Sequence, residues 1–185
     1  MRRLISMVFA FILAAGLSSC TSLKSKYYPG TIVEPEKGDI GKTLICNFNE
    51  QVFLVKTLSK EEIFMGHLEW DEKKHEFKAV NNKVVVSKLK ENALFFNIQG
   101  DDGLYTILKC SPGFNKKSLV LYSVKKEKIQ QDIKDGKIKA TANKDQSEFI
   151  LEVTKEEFDK YILENMDTLF DYNNPGVVSL EETSK

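Results

Sequence analysis

Three cysteines and two histidines are the side chains of this 185-residue chain best suited to chemistry. Cys46 shares a strand face with Leu44 and Phe48, and Cys110 shares one with Leu104 and Leu108, so both are expected to point into a core. In an oxidising compartment such a pair can close a disulfide. Closing about 65 residues would add roughly 4 kcal/mol on the loop-entropy account. The alternative is two reduced thiols that behave as small buried hydrophobes. No C-x-x-C is present, so neither cysteine points to a redox or metal role. If Asp71 to Lys74 forms a turn, Trp70 pairs with His75 and His67 lies three pairs further from the loop. The two histidines then read as partly exposed sheet residues, and no third ligand has zinc spacing. There is no G-x-S-x-G elbow, no H-E-x-x-H pair and no cysteine with a histidine partner, so no catalytic residue, metal or cofactor is assigned. Asp101-Asp102-Gly103 lacks alternating oxygen ligands and reads as hairpin chemistry rather than a calcium loop.

The third cysteine sits in a different setting. Met1-Arg2-Arg3 is basic, and Leu4 to Leu17 is an apolar run of 14 residues broken only by Ser6 and Gly16. As a helix that run would span about 21 Å, short of the ~30 Å hydrocarbon core, so it reads as a signal h-region rather than a transmembrane helix. Leu17-Ser18-Ser19-Cys20 follows, and it resembles the lipobox of bacterial lipoproteins. The resemblance covers the first twenty residues only. It implies that the Cys20 thiol receives a diacylglyceryl group, that cleavage falls after Ser19, and that acyl chains then anchor the protein stably. Thr21 rather than Asp follows the cysteine, which implies outer-membrane sorting in a Gram-negative host.

The whole chain balances 27 basic against 27 acidic side chains, with both arginines, Arg2 and Arg3, inside the signal. Charge is unevenly spread. Residues 116–144 hold nine lysines against three acids, and residues 145–185 hold eleven acids against three lysines. Mutual neutralisation between these segments is one reading; a lysine patch facing anionic lipid or envelope polymer is the other. Without net positive charge or an arginine fork, nucleic acid is not an expected partner.

The elements that must position these residues are mostly strands. From Thr43 the apolar period is two, and short runs separated by turns continue to about residue 122, as in an antiparallel meander. Val80-Asn81-Asn82-Lys83 is expected to turn into Val84-Val85-Val86, and Gln99 to Gly103 to close a hairpin. Lys125 to Asp135 predicts a short helix with Gly136 at its C′ position. Glu148 to Val153 supplies another strand. Thr154-Lys155-Glu156-Glu157 predicts a capping box, after which Phe158, Tyr161, Ile162, Met166 and Leu169 trace one helical face through Phe170.

The expected organisation is a signal peptide over 1–19, a lipidated N-terminus and tether over 20–42, a globular domain over 43–170 and a loose tail over 171–185. A flexible 22-residue tether would average roughly 25 Å. The expected fold class is α+β, a mainly antiparallel β-sheet meander covered by the C-terminal helix, with a β-barrel or sandwich carrying one appended helix as the alternative. The functional expectation is a non-catalytic, membrane-anchored envelope lipoprotein, a binding or accessory protein for an envelope protein partner or a small apolar ligand. A small envelope hydrolase and an immunity-type inhibitor of an envelope-targeted toxin are the alternatives.

Overall fold

A computed structural model describes residues 21–37, 40–48, 51–60, 62–72, 74–91, 93–113 and 118–182. Cys20 and the signal run lie outside the described residues. The described residues form β1 (Ser22–Ser25), β2 (Thr31–Ile32), β3 (Thr43–Phe48), β4 (Gln51–Thr57), β5 (Ile63–Asp71), β6 (Glu76–Lys90), β7 (Ala93–Gln99), β8 (Tyr105–Pro112) and β9 (Ser118–Tyr122). Next come α1 (Lys126–Lys134), β10 (Ala140–Ala142), β11 (Glu148–Leu151), α2 (Lys155–Leu169) and β12 (Gly176–Glu182). All twelve strands belong to one hydrogen-bonded sheet, and the class is α+β.

Strands β3 to β9 pair antiparallel in chain order. The meander does not stop at β9. β12 pairs with β9 through Gly176–Ser179 and with β3 through Ser179–Glu182, so the pairing returns to its start. Eight strands therefore form a closed ring. Its register is strongly staggered: β6 pairs with β5 over Glu76–Val84 and with β7 over Lys83–Lys90, sharing only Lys83 and Val84 between these two ring neighbours, while β2 pairs with β6 at Ser87 and Lys88. Such stagger accompanies the strand tilt that ring closure requires.

A second layer leaves the ring at β8. One edge of β8 pairs with β7, while the other is divided between β9 and β1. Beyond β1 lie β11, parallel to it, and then β10. Helices α1 and α2 cover this side. Phe158, Ile162, Leu169 and Ile129 join Phe95 of β7, Ile107 of β8, Leu23 of β1 and Phe149 of β11 in one core, each at most 1% exposed. That is why five of the seven residues of β7 are apolar: Ala93 and Phe95 face the helices, while Leu94, Phe96 and Ile98 face the other way.

The expected capping box is present. Glu157 N–H donates to Thr154 Oγ1 at 3.3 Å, and Thr154 N–H to Glu157 Oε2 at 2.9 Å. Helix α1 ends on Gly136 with φ +70°, the left-handed C′ conformation expected there. The Gln99–Gly103 hairpin also forms, with Gly100 N–H donating to Leu104 O.

Four expectations are corrected. Within the expected tether over 20–42, the described residues 22–32 are not free. Ser22–Ser25 is paired on both edges, Leu23 is fully buried, and Lys24 Nζ bridges Glu148 at 2.8 Å and Asp102 at 3.1 Å. Gly30 is then held by α2, its N–H donating to Asp159 Oδ1 and its carbonyl accepting from Lys155 Nζ. Its φ of +67° and a position where any Cβ would strike the Lys88 carbonyl require glycine. The expected tail over 171–185 is overturned over its described part, because β12 (Gly176–Glu182) closes the ring. Asn81-Asn82 is no turn: β6 runs straight through it, and Gly66 on β5 leaves the space that the Asn81 side chain fills. Last, Trp70 pairs with Phe77, not His75; the hairpin closes at Asp71–Glu76, with His75 in the turn at φ +53°.

These placements generate an ordering for stability. Phe158→Ala should cost about 3–5 kcal/mol and Thr154→Ala about 1 kcal/mol. Truncation after Asn174 should exceed both, since it strips the edges of β3 and β9 together. Urea midpoints of the four proteins test the order, and a truncated chain as stable as the parent would show that β12 does not close the ring.

Candidate functional site

Register fixes which side chains share the enclosed face. Across β3 to β6 one rung carries Leu44, Val55, Met65 and Asn82. Another, from β4 to β8, carries Thr57, Ile63, Val84, Ile98 and Thr106. Leu94, Cys110, Leu121 and Gly176 form a third. The opposite face is either covered by the helices at β7 and β8 or open to solvent, with Val52 at 56%, Leu54 at 49% and Leu68 at 63% exposure. The rungs therefore face inward.

The inner face is apolar but not sealed. Cys46, Val84, Cys110 and Val178 are buried, whereas Leu44, Phe53, Val55, Met65, Phe96, Leu108 and Leu121 are only half-buried. Side chains of a filled interior would match Phe95 or Phe158, which expose nothing. These side chains therefore keep part of their surface in contact with solvent. Eight strands make a ring whose interior either packs solid or holds one small ligand, and partial access favours the second.

His67 belongs to this face, its ring 5.4 Å from that of Phe53. With Thr57, Asn82 and Thr106 it adds a few polar groups to an apolar lining. His75 sits exposed in the β5–β6 turn, four rungs beyond His67. The structure does not bring the two histidines together. Among the described residues no group of three or more His, Cys, Asp or Glu is placed to hold a metal.

Cys46 and Cys110 both face inward, as their spacing implied, and both are free thiols. They are separated in the pairing order by β9 and β12. Burial pushes each thiol up to about 11, which removes the thiolate needed for nucleophilic or metal chemistry near neutral pH.

The densest polar cluster lies outside the ring, between α1 and α2. Asp132 is fully buried; its Oδ2 accepts from Lys128 Nζ at 2.5 Å and from Tyr161 Oη at 2.9 Å, and its Oδ1 from Lys137 Nζ at 3.4 Å. Lys128 also donates to Asn165 on α2. Burial opposes the Asp132 charge, but the bonds from Lys128 and Tyr161 outweigh it and hold the carboxyl below its ordinary range. Burial, and then Asp132, push the Tyr161 phenol upward. Each of these groups is satisfied by another, so the cluster ties two helices rather than presenting a reactive group.

The ring's lining was not singled out in the sequence. Period two on β3 to β5 and apolar residues on both faces of β7 were its signals, but neither shows that the strands close. No family model, curated protein or solved structure matches the chain.

Two outcomes are expected. In native protein at pH 8 iodoacetamide should leave Cys46 and Cys110 almost unmodified, since about one thiol in a thousand is ionised, and guanidinium should release both. Alkylation of the native protein at the free-thiol rate would contradict their burial. Asp132→Asn should lower stability by about 1–3 kcal/mol near neutrality. Because the folded carboxyl titrates below the unfolded one, its contribution is present above about pH 4 and fades as pH falls through the folded value. Urea midpoints of variant and parent should therefore converge in acid; a gap that widened there would refute the assignment.

Proposed function

We propose that this chain is a lipid-anchored bacterial envelope protein that takes up a small apolar ligand inside its strand ring, without catalysing a reaction. The anchor reading rests on the resemblance of Leu17-Ser18-Ser19-Cys20 to a lipobox, with Cys20 as the lipidated residue and the outer membrane as its destination in a Gram-negative host. Among the described residues no helix is long and apolar enough to cross a membrane. The observation that carries the binding reading is the inner face itself: large apolar side chains, half-buried, around a few polar groups. An apolar ligand would displace water from these side chains, and each buried CH₂ would contribute about 0.8 kcal/mol. His67, Asn82, Thr57 and Thr106 would orient a polar end. A second reading has its own observation. Val52, Leu54 and Leu68 expose apolar surface on the outside of the ring, which would suit an envelope protein partner.

Titration with N-phenyl-1-naphthylamine separates these readings. One probe should bind per chain, Leu108→Asp on the inner face should weaken binding at least about tenfold, and Leu68→Asp on the outer face should not. Circular dichroism checks that both variants fold, and the milder Leu108→Thr should show the same trend. Equal loss from both positions would reject the enclosed site. Radioactive fatty acid supplied to cells should label the parent and not Cys20→Ser; undiminished label in the variant would reject the anchor.

A further inference from the structure

We infer that the ligand of the strand ring is an uncharged long-chain lipid whose polar group is a hydroxyl, and not a fatty acid or a cationic amphiphile. The inference rests on the binding reading proposed above and adds the class of ligand. Its basis is where charge stops along the strands. On the inward register β6 reads Glu76, Lys78, Val80, Asn82, Val84, Val86 and Lys88. Glu76, Lys78 and Lys88 stand at its two ends and are exposed. The four residues between carry no charge, and from Val80 to Val86 they cover about 20 Å of strand. The other ring strands agree. β5 carries Glu69 and Asp71 opposite Lys78 and Glu76, beyond His67 and toward the turn. On β12 the register brings the first charge at Glu182, its last residue. Among the described residues β3, β4, β7, β8 and β9 carry none on the inward register.

In a chain that is 29% charged, such a lining is segregation rather than composition. The two thiols add no charge, since burial holds Cys46 and Cys110 protonated, pushed up to about 11. The polar groups that remain are of one kind. Thr57, His67, Asn82 and Thr106 are half-buried, and each can both donate and accept a hydrogen bond. A hydroxyl does the same, so these side chains can satisfy it in either direction. A carboxylate or an ammonium taken between the rims would need an opposite charge, which no lysine, aspartate or glutamate supplies there. Burying an unpaired ion costs far more than burying a bonded hydroxyl. An alkyl chain suits the apolar remainder of the lining, of which Leu94, Phe96 and Ile98 on β7 are typical.

The protein tested begins at Thr21, which keeps every element of the fold. Bound N-phenyl-1-naphthylamine is displaced at pH 8 by 1-decanol, decanoate or decyltrimethylammonium, each below its micellar concentration. Decanol should displace the probe at a concentration at least about tenfold lower than either ion. His67→Gln should keep decanol ahead of both ions. Asn82→Leu with Thr106→Val should weaken decanol several-fold more than it weakens the probe. Met65→Lys, which sets a cation on the lining opposite Asn82, should put decanoate ahead of decanol. If circular dichroism shows that this variant does not fold, Asn82→Lys takes its place. A parent protein that binds no probe overturns the binding reading and this inference together. A parent that binds the probe but releases it to decanoate or decyltrimethylammonium as readily as to decanol overturns this inference alone. Decanol weakened no more than the probe by the paired Asn82 and Thr106 changes overturns the hydroxyl as the group recognised.

Discussion

Backbone hydrogen bonds that must be satisfied at sheet edges govern this molecule. A meander from β3 to β9 leaves two edge strands, each with a row of unpaired N–H and C=O groups. β12 fills both gaps at once, with Ser179 at the changeover between its two partners. Everything enclosed depends on that closure. Without it the face carrying Phe53, Phe96, Leu108 and Leu121 would be the open side of a sheet and would lie against water or another chain. With it, those side chains line a shared interior whose width is set by strand number and stagger.

The ring and its outer layer depend on each other through β7 and β8, which are apolar on both sides. Phe95 and Ile107 sit under α2, and their removal from water helps hold two ring strands in place. Helix α2 is in turn fixed at its start by the Thr154 cap, along its length by Phe158 and Ile162, and across to α1 by Asp132. It also holds Gly30 through Lys155 and Asp159, so the first strands of the chain are secured by its last helix. A buried charge such as Asp132 adds little net stability over an apolar contact of the same volume. Its directional bonds instead select one relative placement of the two helices.

What could be read from the sequence was local. The Thr154 cap, the Gly136 terminus and the Gln99–Gly103 hairpin are each specified within a few residues, by side chains bonding to neighbouring backbone or by a left-handed position. Strand faces were legible too, because alternation puts Cys46 and Cys110 on the side they occupy. Distance around a ring is not encoded in alternation, and parity could not show that β9 and β12 separate the two thiols. Ser22–Ser25 and Gly176–Glu182 were misread for a related cause. Each lies beside a Pro-Gly pair and is made a strand by partners more than fifty residues away. Asn81-Asn82 failed differently: a turn-favouring pair was accommodated in a long strand because Gly66 leaves room opposite.

Chain order gives the closing strand a consequence for biosynthesis. β12 is the last of the described elements, and its partner β3 begins at Thr43. The ring cannot be completed while residues 176–182 are still being made. Contacts so distant in sequence form slowly, since the loop entropy must be lost before the ladder forms. Until then the large apolar residues of the inner face stay accessible, and a nascent chain remains pliable. Any factor that keeps such chains unfolded would find its binding surface in the very side chains that later line the ring.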